Sequence, residues 1–147
     1  MRPIVCLWIS VLGFILLGMP TVCKADMRPS RLRCEYLKDP LGVDVRPRLS
    51  WMLESRDRGQ EQTAYQILVA SSQVVIEADK GDLWDTGKVD SSDSLQIEYA
   101  GKPLGSGVQV FWKVRVWDKH KKPSAYSELA RWEMGLLHKN DWQGKWI

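Results

Sequence analysis

The stretch FWKVRVWDKH, from Phe111 to His120, decides the fold because two kinds of side chain alternate along it. One set of alternate positions is entirely apolar and consists of Trp112, Val114 and Val116. The other set combines two aromatic rings with two cations and consists of Phe111, Lys113, Arg115 and Trp117. A period of two residues predicts a β-strand with one buried face. The rings on the second face leave open whether it binds a sugar, docks another domain or only packs across strands.

The same alternation recurs on both sides of this strand, with turn-forming residues between the segments. The predicted strands are Arg31–Tyr36, Arg48–Glu54, Thr63–Ser71, Leu83–Val89, Leu95–Tyr99, Val108–Asp118 and Ser127–Met134. Part of Ser72–Ala78 could instead form a helical turn. About seven short strands at regular spacing predict an all-β, antiparallel sandwich. The residues expected in its core are Trp51, Tyr65, Trp112, Val114, Val116 and Trp132.

The first 25 residues have the composition of a secretory signal peptide. Arg2 precedes an apolar run from Ile4 to Met19, and Cys23 and Ala25 place small residues at the −3 and −1 positions. We expect cleavage after Ala25, which would deliver a periplasmic or secreted protein with no remaining membrane segment. A retained N-terminal anchor is the alternative, although the run is short for a bilayer span of about 20 apolar residues.

Charge and cysteine content exclude several classes of protein. The chain has a net charge of +3, but Arg2 and Lys24 lie in the predicted signal peptide, which has no acidic residue, so +1 remains. Nucleic-acid binding requires a concentrated basic footprint and is therefore not indicated. Cys34 would be the one cysteine left, so an internal disulfide is excluded. Its surroundings are typical of a small buried hydrophobe.

Residues 26–147 show no residue pattern typical of catalysis or metal binding. His120 and His138 have no partner at metal-site or triad spacing, and the zinc-protease, nucleophile-elbow and phosphate-loop motifs do not occur. We therefore expect no catalytic residue, no metal site and no cofactor in this chain.

Aromatic residues are the unusual feature, since seven of the eight tryptophans would remain after signal cleavage. Phe111, Trp117 and Trp84 are the candidates for a domain-docking or sugar-stacking surface, because large exposed rings usually have a partner. Plain cross-strand packing is the alternative. In that case the stems of Lys113 and Arg115 would cover the rings, and their charges would lie over the ring faces.

The C-terminal segment, residues 139–147, ends on Trp146 and Ile147. Domains ordinarily end in polar, frayed residues. We therefore expect the sandwich to span residues 26–138 and residues 139–147 to begin a linker into a further domain. The alternative is that Trp142 and Trp146 fold back onto the sandwich.

Trp112, Arg115 and Val116 match the aromatic-x-x-Arg-Val pattern of a fibronectin type III-like domain, which has an immunoglobulin-like fold. Trp112 replaces the usual tyrosine, so a tyrosine corner is not expected. A more extensive similarity is carried by the following blocks in this order: CEYLKDPLGVDVRPRLSWMLES, QTAYQILVASS, GDLWDTGKVDSSDS, IEYAGKPL, FWKVRVWDKH, SELARWEMGLL and DWQGKWI. Together they resemble the N-terminal domain of bacterial α-L-rhamnosidases of glycoside hydrolase family 78.

This resemblance implies a non-catalytic accessory domain of an enzyme that hydrolyses terminal α-L-rhamnose with inversion. The family performs hydrolysis in a helical barrel that this chain does not contain, so no catalytic residue can be transferred to it. The implied partners are the downstream domains of the same enzyme, with rhamnose-containing glycans as a second class. The alternative is a stand-alone carbohydrate-binding or adhesion module that uses Phe111, Trp117 and Trp84. A sandwich from a sensor or surface-anchored protein is a third interpretation, because fold alone does not determine function.

Overall fold

The computed structural model describes residues 26–44 and 46–144. The predicted signal peptide with its cleavage point after Ala25 lies outside these residues, as do Trp146 and Ile147. The described strands are β1 (Arg28–Cys34), β2 (Arg48–Glu54), β3 (Ala64–Ala70), β4 (Trp84–Asp85), β5 (Ile97–Glu98), β6 (Gln109–Trp117) and β7 (Ala130–Glu133). One short helix, α1 (Gln73–Glu77), follows β3, and a 3-10 turn, Lys139–Asp141, lies near the C-terminal end. No helix in the described ranges is long and apolar enough to span a membrane.

The strands form two antiparallel sheets, with the order β1-β2-β5 in one and β4-β3-β6-β7 in the other. The nine-residue β6 pairs with β3 along seven positions, from Ala64 opposite Trp117 to Ala70 opposite Phe111. Its other edge pairs with β7. This arrangement confirms the predicted all-β sandwich and places the alternating stretch in the middle of the larger sheet.

The main core fills the space between the two sheets. All six residues expected there, namely Trp51, Tyr65, Trp112, Val114, Val116 and Trp132, belong to it. The rings meet edge to face, with 5.3 Å between the Trp51 and Tyr65 centroids and 5.8 Å between those of Tyr99 and Trp132. Such pairs contribute about 0.5–1.5 kcal/mol beyond the burial of their apolar area.

Some predicted element boundaries were wrong, for local reasons. β1 begins at Arg28 and contains a register shift between Ser30 and Arg33, where Arg31 has a φ of 47°. The predicted strand Leu83–Val89 shrinks to the two residues of β4. After β4, the Thr86 hydroxyl accepts the Ile67 N–H at 2.9 Å, so a side chain replaces a ladder bond.

Helix α1 is the one described α-helix, and it forms where the sequence was ambiguous. The Ser72 hydroxyl accepts the Val75 N–H at 3.4 Å and caps the first turn. Ile76 is fully buried against Leu68 and Ala70 of β3. The helix is therefore held on the outer face of the larger sheet, where it covers part of that face.

Gly101 lies where the loop after β5 passes close to the chain entering β4. A Cβ at Gly101 would lie 2.6 Å from the Leu83 carbonyl oxygen and 2.6 Å from the Trp84 Cβ. We expect Gly101→Ala to lower the free energy of unfolding by about 1–3 kcal/mol, because the backbone must shift. Urea denaturation of residues 26–147 would measure it. The matched control is Gly105→Ala in the same loop, whose nearest neighbouring atom is 3.7 Å away. Equal midpoints for the two variants would contradict this prediction.

Candidate interdomain surface

Phe111 and Trp117 lie on the outer face of β6, but the prediction that they are exposed was wrong. Trp117 keeps only 9% of its surface exposed, and Phe111 is half-buried against the small cluster around Ile76. Helix α1 covers one part of this face, and residues 123–127 run beside β6. In that segment Ser124 donates its N–H to the Val116 carbonyl at 2.8 Å. The rings are covered because α1 and residues 123–127 pack against this face.

Cations and rings alternate over this covered face. The Arg115 guanidinium lies 5.0 Å from the Trp117 ring centroid and 5.0 Å from that of Tyr126. Lys88 Nζ lies 5.4 Å from the Trp117 centroid, and Lys113 Nζ lies 4.7 Å from the Tyr126 centroid. Each such contact contributes about 0.5–2 kcal/mol, with the larger values at desolvated sites. We call these five residues the cation–ring ladder.

Polar partners satisfy the charges of the ladder. Arg115 Nε donates to the Gln66 side-chain oxygen at 2.9 Å, and Gln66 Nε2 donates to Asp85 Oδ1 at 2.7 Å. Lys113 forms an ion pair with Asp79 just after α1. Burial of a cation is tolerated when it is paired and hydrogen-bonded. The ladder therefore packs this face internally, with Trp117 buried and Tyr126 half-buried.

Trp117→Ala distinguishes packing from sugar recognition. We expect the free energy of unfolding of residues 26–147 to fall by about 2 kcal/mol, because a buried ring is lost. Binding to any rhamnose-containing glycan should not change. Urea denaturation and titration calorimetry would measure the two quantities. Unchanged stability together with lost glycan binding would contradict the packing role.

Trp84, the third predicted docking residue, packs on the main core. It is half-buried, and its ring meets the Tyr99 ring edge to face with 5.3 Å between centroids. Tyr99 in turn donates its hydroxyl to the Lys102 carbonyl at 2.8 Å. Of the three aromatic candidates, Trp117 is buried, and Phe111 and Trp84 are half-buried.

Cys34 is buried, and this burial is the main cause that raises the pKa of its thiol to about 12. The negative charge of Glu35 is the smaller cause. A raised thiol pKa opposes thiolate formation in the folded state. Below the ordinary thiol pKa the group is protonated in both the folded and the unfolded chain. As the pH rises from there towards 12, only the unfolded chain ionises, so the free energy of unfolding falls. We expect no reaction with a thiol-specific disulfide reagent near pH 8 until urea unfolds the chain. Rapid labelling of the folded chain would contradict this.

Large apolar side chains are exposed in the loop after β1 and in residues 136–142, and a hydrogen bond from Gly135 to Val43 joins these two parts of the chain. They are Leu37 at 60%, Leu41 at 72%, Leu136 at 52% and Trp142 at 62% of full exposure. We call these four residues the C-terminal surface. Sequence reasoning missed both leucines at 41 and 136. The available signal was an apolar residue beside a glycine, as in Leu41-Gly42 and Gly135-Leu136, outside any alternating strand.

Hydrogen bonds hold the segments that carry the C-terminal surface together. Gly135 donates its N–H to the Val43 carbonyl at 2.8 Å, and the Gly107 N–H donates to the Gly135 carbonyl at 3.2 Å. A Cβ at Gly135 would lie 3.3 Å from the Gly42 backbone, so glycine permits this close approach. The loop carrying Leu41 and the segment carrying Leu136 are therefore neighbours.

Residues 137–141 are also held by hydrogen bonds. Leu137 donates its N–H to the Ser106 hydroxyl at 2.9 Å and packs against the main core. The same hydroxyl is hydrogen-bonded to Asp141, which also accepts the His138 N–H at 2.9 Å. Hydrogen bonding to Ser106 is the main cause that lowers the pKa of the Asp141 carboxyl. Trp142 follows directly on this held turn.

Two clefts open at the same end and share Arg46. One has a volume of about 570 Å³, and the other has a volume of about 500 Å³. The first is lined by Arg46, Pro47, Glu98, Tyr99, Ala100, Gly101, Lys102, Pro103, Leu104 and Met134. The second is lined by Glu35, Leu37, Pro40, Leu41, Gly42, Val43, Asp44, Arg46 and Arg48. An ion pair at 3.4 Å joins Arg46 and Glu98 in the lining of the first cleft, and an ion pair at 2.7 Å joins Arg48 and Glu35 in the lining of the second.

A shallower groove of about 220 Å³ lies on the outer face of β1 and β2. It is lined by Arg31, Arg33, Tyr36, Ser50, Trp51, Met52 and Leu95, and almost all of its surface is apolar. Tyr36 is 69% exposed at its edge. We call this the sheet groove.

Metal-ligating side chains do not cluster in the described part of the chain. Residues 26–44 and 46–144 hold no group of three or more His, Cys, Asp or Glu side chains that could bind a metal ion. His120 and His138 are both exposed and lie on separate segments of the chain.

Comparison with known proteins agrees with this geometry. The family described as the Rha78A-like, N-terminal immunoglobulin domain matches residues 29–138. An α-L-rhamnosidase from Streptomyces avermitilis is 46% identical over 114 residues, which is 77% of this chain and 11% of that protein. An α-L-rhamnosidase from Formosa agariphila is 45% identical over 114 residues, which is 77% of this chain and 12% of that protein.

Solved structures show the same fold. The α-L-rhamnosidase structure from Dictyoglumus thermophilum superposes with a TM-score of 0.78 at 44% identity, covering 82% of this chain and 14% of that one. The Streptomyces avermitilis α-L-rhamnosidase structure complexed with L-rhamnose gives a TM-score of 0.77 at 43% identity, covering 82% and 12%. This chain thus spans about one eighth of the length of these similar proteins. The chain belongs to the family of Rha78A-like N-terminal immunoglobulin domains.

Proposed function

We propose that this chain is the non-catalytic N-terminal accessory domain of a longer α-L-rhamnosidase that removes terminal α-L-rhamnose from glycosides. The observation that carries the proposal is that residues 29–138 match a family of N-terminal domains. The chain covers only 11–14% of the length of the similar α-L-rhamnosidases. An accessory domain of this kind contributes by packing against the domains that follow it.

The proposal includes export of the parent enzyme. Its support is the positively charged start at Arg2, the apolar run that follows, and the small residues Cys23 and Ala25 before the expected cleavage point. Export would place the protein in the periplasm or outside the cell, where it would meet plant or microbial glycosides. N-terminal sequencing of the exported protein should begin at Asp26.

The test compares two purified proteins with an aryl α-L-rhamnoside. The first is residues 26–147, and the second is the full polypeptide encoded by the gene, read beyond the codon for Ile147. We expect hydrolysis by the full polypeptide and no turnover by residues 26–147. Turnover by residues 26–147 would disprove the non-catalytic role. An inactive full polypeptide, or a stop directly after Ile147, would disprove the rhamnosidase parent.

A stand-alone carbohydrate-binding module is the second candidate. Trp117 is buried and Phe111 and Trp84 are half-buried, so the most exposed aromatic ring available to a sugar is Tyr36 in the sheet groove. Titration calorimetry of residues 26–147 with L-rhamnose and rhamnose-containing polysaccharides tests it. Binding that is lost in Tyr36→Ala would support this candidate, and a flat titration would remove it.

A further inference from the structure

We infer that the C-terminal surface, formed by Leu37, Leu41, Leu136 and Trp142, is the docking site for the domain that follows in the same polypeptide. This inference rests on the proposed function, because it requires a longer parent protein. It adds the location of the contact and the residues that make it.

The first support is the clustering of exposed apolar side chains. A single exposed leucine is ordinary on a protein surface, whereas a contiguous group marks an interaction site. Leu37 and Leu41 line the same cleft, and Leu136 lies on the segment whose Gly135 bonds to Val43 beside them. Three leucines on two adjoining segments therefore face solvent together at one end of the sandwich.

The second support is the way the C-terminal segment is held. Ser106 binds both the Leu137 N–H and the Asp141 carboxylate, and Leu137 packs into the core. Ser106 is next to Gly107, whose N–H donates to the Gly135 carbonyl, so the residues that follow Asp141 begin near the segment that carries Leu136. Tethering raises the effective concentration of whatever follows at this surface, so that even a modest apolar contact would be occupied.

The third support is the distribution of charge around the surface. The Arg46–Glu98 ion pair lies in the lining of one cleft and the Arg48–Glu35 pair in the lining of the other, where Leu37 and Leu41 are also found. An apolar centre with a polar, paired rim is the usual anatomy of a protein interface. Because these cations already have acidic partners within the domain, the rim does not require a strongly charged partner.

The sheet groove is the competing surface, and its position argues against it. It lies on the outer face of β1 and β2, and its lining contains no residue after Leu95. Outside their own stretch, residues 135–141 make their hydrogen bonds with Val43, Ser106 and Gly107 instead. The domain that follows would therefore reach the C-terminal surface first.

The experiment uses the full polypeptide and residues 26–147 as separate samples. Hydrogen exchange should be slower in the full polypeptide at residues 37–44 and 135–142, by about tenfold or more, while the sheet groove is unchanged. The double variant Leu41→Asp and Leu136→Asp should remove this protection in the full polypeptide. Its melting temperature as isolated residues 26–147 should stay the same, because both side chains are already exposed.

Matched controls are available on the same domain. Val74→Asp on α1 introduces the same charge at a position that is 78% exposed, and Leu95→Asp does so in the sheet groove at 68%. Neither should change exchange at residues 37–44. Equal exchange in the two samples, or protection at the sheet groove instead, would overturn the inference. So would a dimer of residues 26–147 that Leu41→Asp dissociates, because the occupant would then be a second copy. Aryl rhamnoside hydrolysis by the full polypeptide reports on the proposed function separately.

Discussion

Trp132→Ala should lower the free energy of unfolding of residues 26–147 by about 3–5 kcal/mol. Trp132 is fully buried on β7, its ring packs edge to face on Tyr99, and its indole N–H donates to the Met134 sulfur at 3.3 Å. Strand β7 has only four residues, and Trp132 is paired with Val110 of β6. Because a domain of this size has about 5–15 kcal/mol of stability, the loss would be a large fraction.

Urea denaturation followed by far-ultraviolet circular dichroism measures this loss without depending on tryptophan fluorescence. The midpoint should fall while the slope stays the same, which indicates a change in stability rather than in the surface exposed on unfolding. Trp142→Ala is the control, because it removes the same side chain from a position that is 62% exposed. Its effect should be within about 0.5 kcal/mol. Equal losses in the two variants would contradict the assigned core.

Gln62→Leu should lower the free energy of unfolding by about 2–4 kcal/mol, because it leaves buried polar groups without partners. Gln62 is only 3% exposed, and its side-chain oxygen accepts the Trp51 indole N–H at 3.0 Å. Its amide nitrogen donates to the carbonyls of Ser91 at 3.1 Å and Asp93 at 2.7 Å. One amide therefore ties the core tryptophan of β2 to the loop before β5.

A double-mutant cycle with Trp51→Phe isolates the hydrogen bond from the other effects of the substitution. Phenylalanine lacks the N–H, so Gln62→Leu should cost less in the Trp51→Phe background than in the native one. Gln73→Leu, at an exposed position of α1, is the control, with an expected effect within about 0.5 kcal/mol. Additive losses across the cycle would show that the bond between Gln62 and Trp51 contributes little.

Alternation along individual strands was sufficient to predict the fold. Trp112, Val114 and Val116 lie at every second position of β6, and a strand has only two faces, so their burial together follows from local geometry. The same reasoning placed Trp51 and Trp132 in the core. It was less successful for β4 and β5, because two-residue strands are too short to show a period.

The covering of the outer face could not be read from the strand pattern. Phe111 and Trp117 do point away from the core, but whether they meet solvent depends on α1, Lys88 and residues 123–127. Gln62 is a similar case, since it ends a polar stretch that reads as a loop and is nevertheless buried beside Trp51. The C-terminal surface was missed because it joins a loop near residue 41 to a segment near residue 136.

The amino-acid sequence by itself determined the two-sheet class, the core face of each long strand and, through ordered blocks of similarity, the family. These properties depend on side-chain period and local composition, which are present along the chain. The tertiary structure alone decided which outward rings are covered, which loop glutamine is buried and which apolar residues share an exposed end. Those properties depend on contacts between segments far apart in sequence, such as Ser106 with Asp141 and Gly135 with Val43, and only packing brings them together.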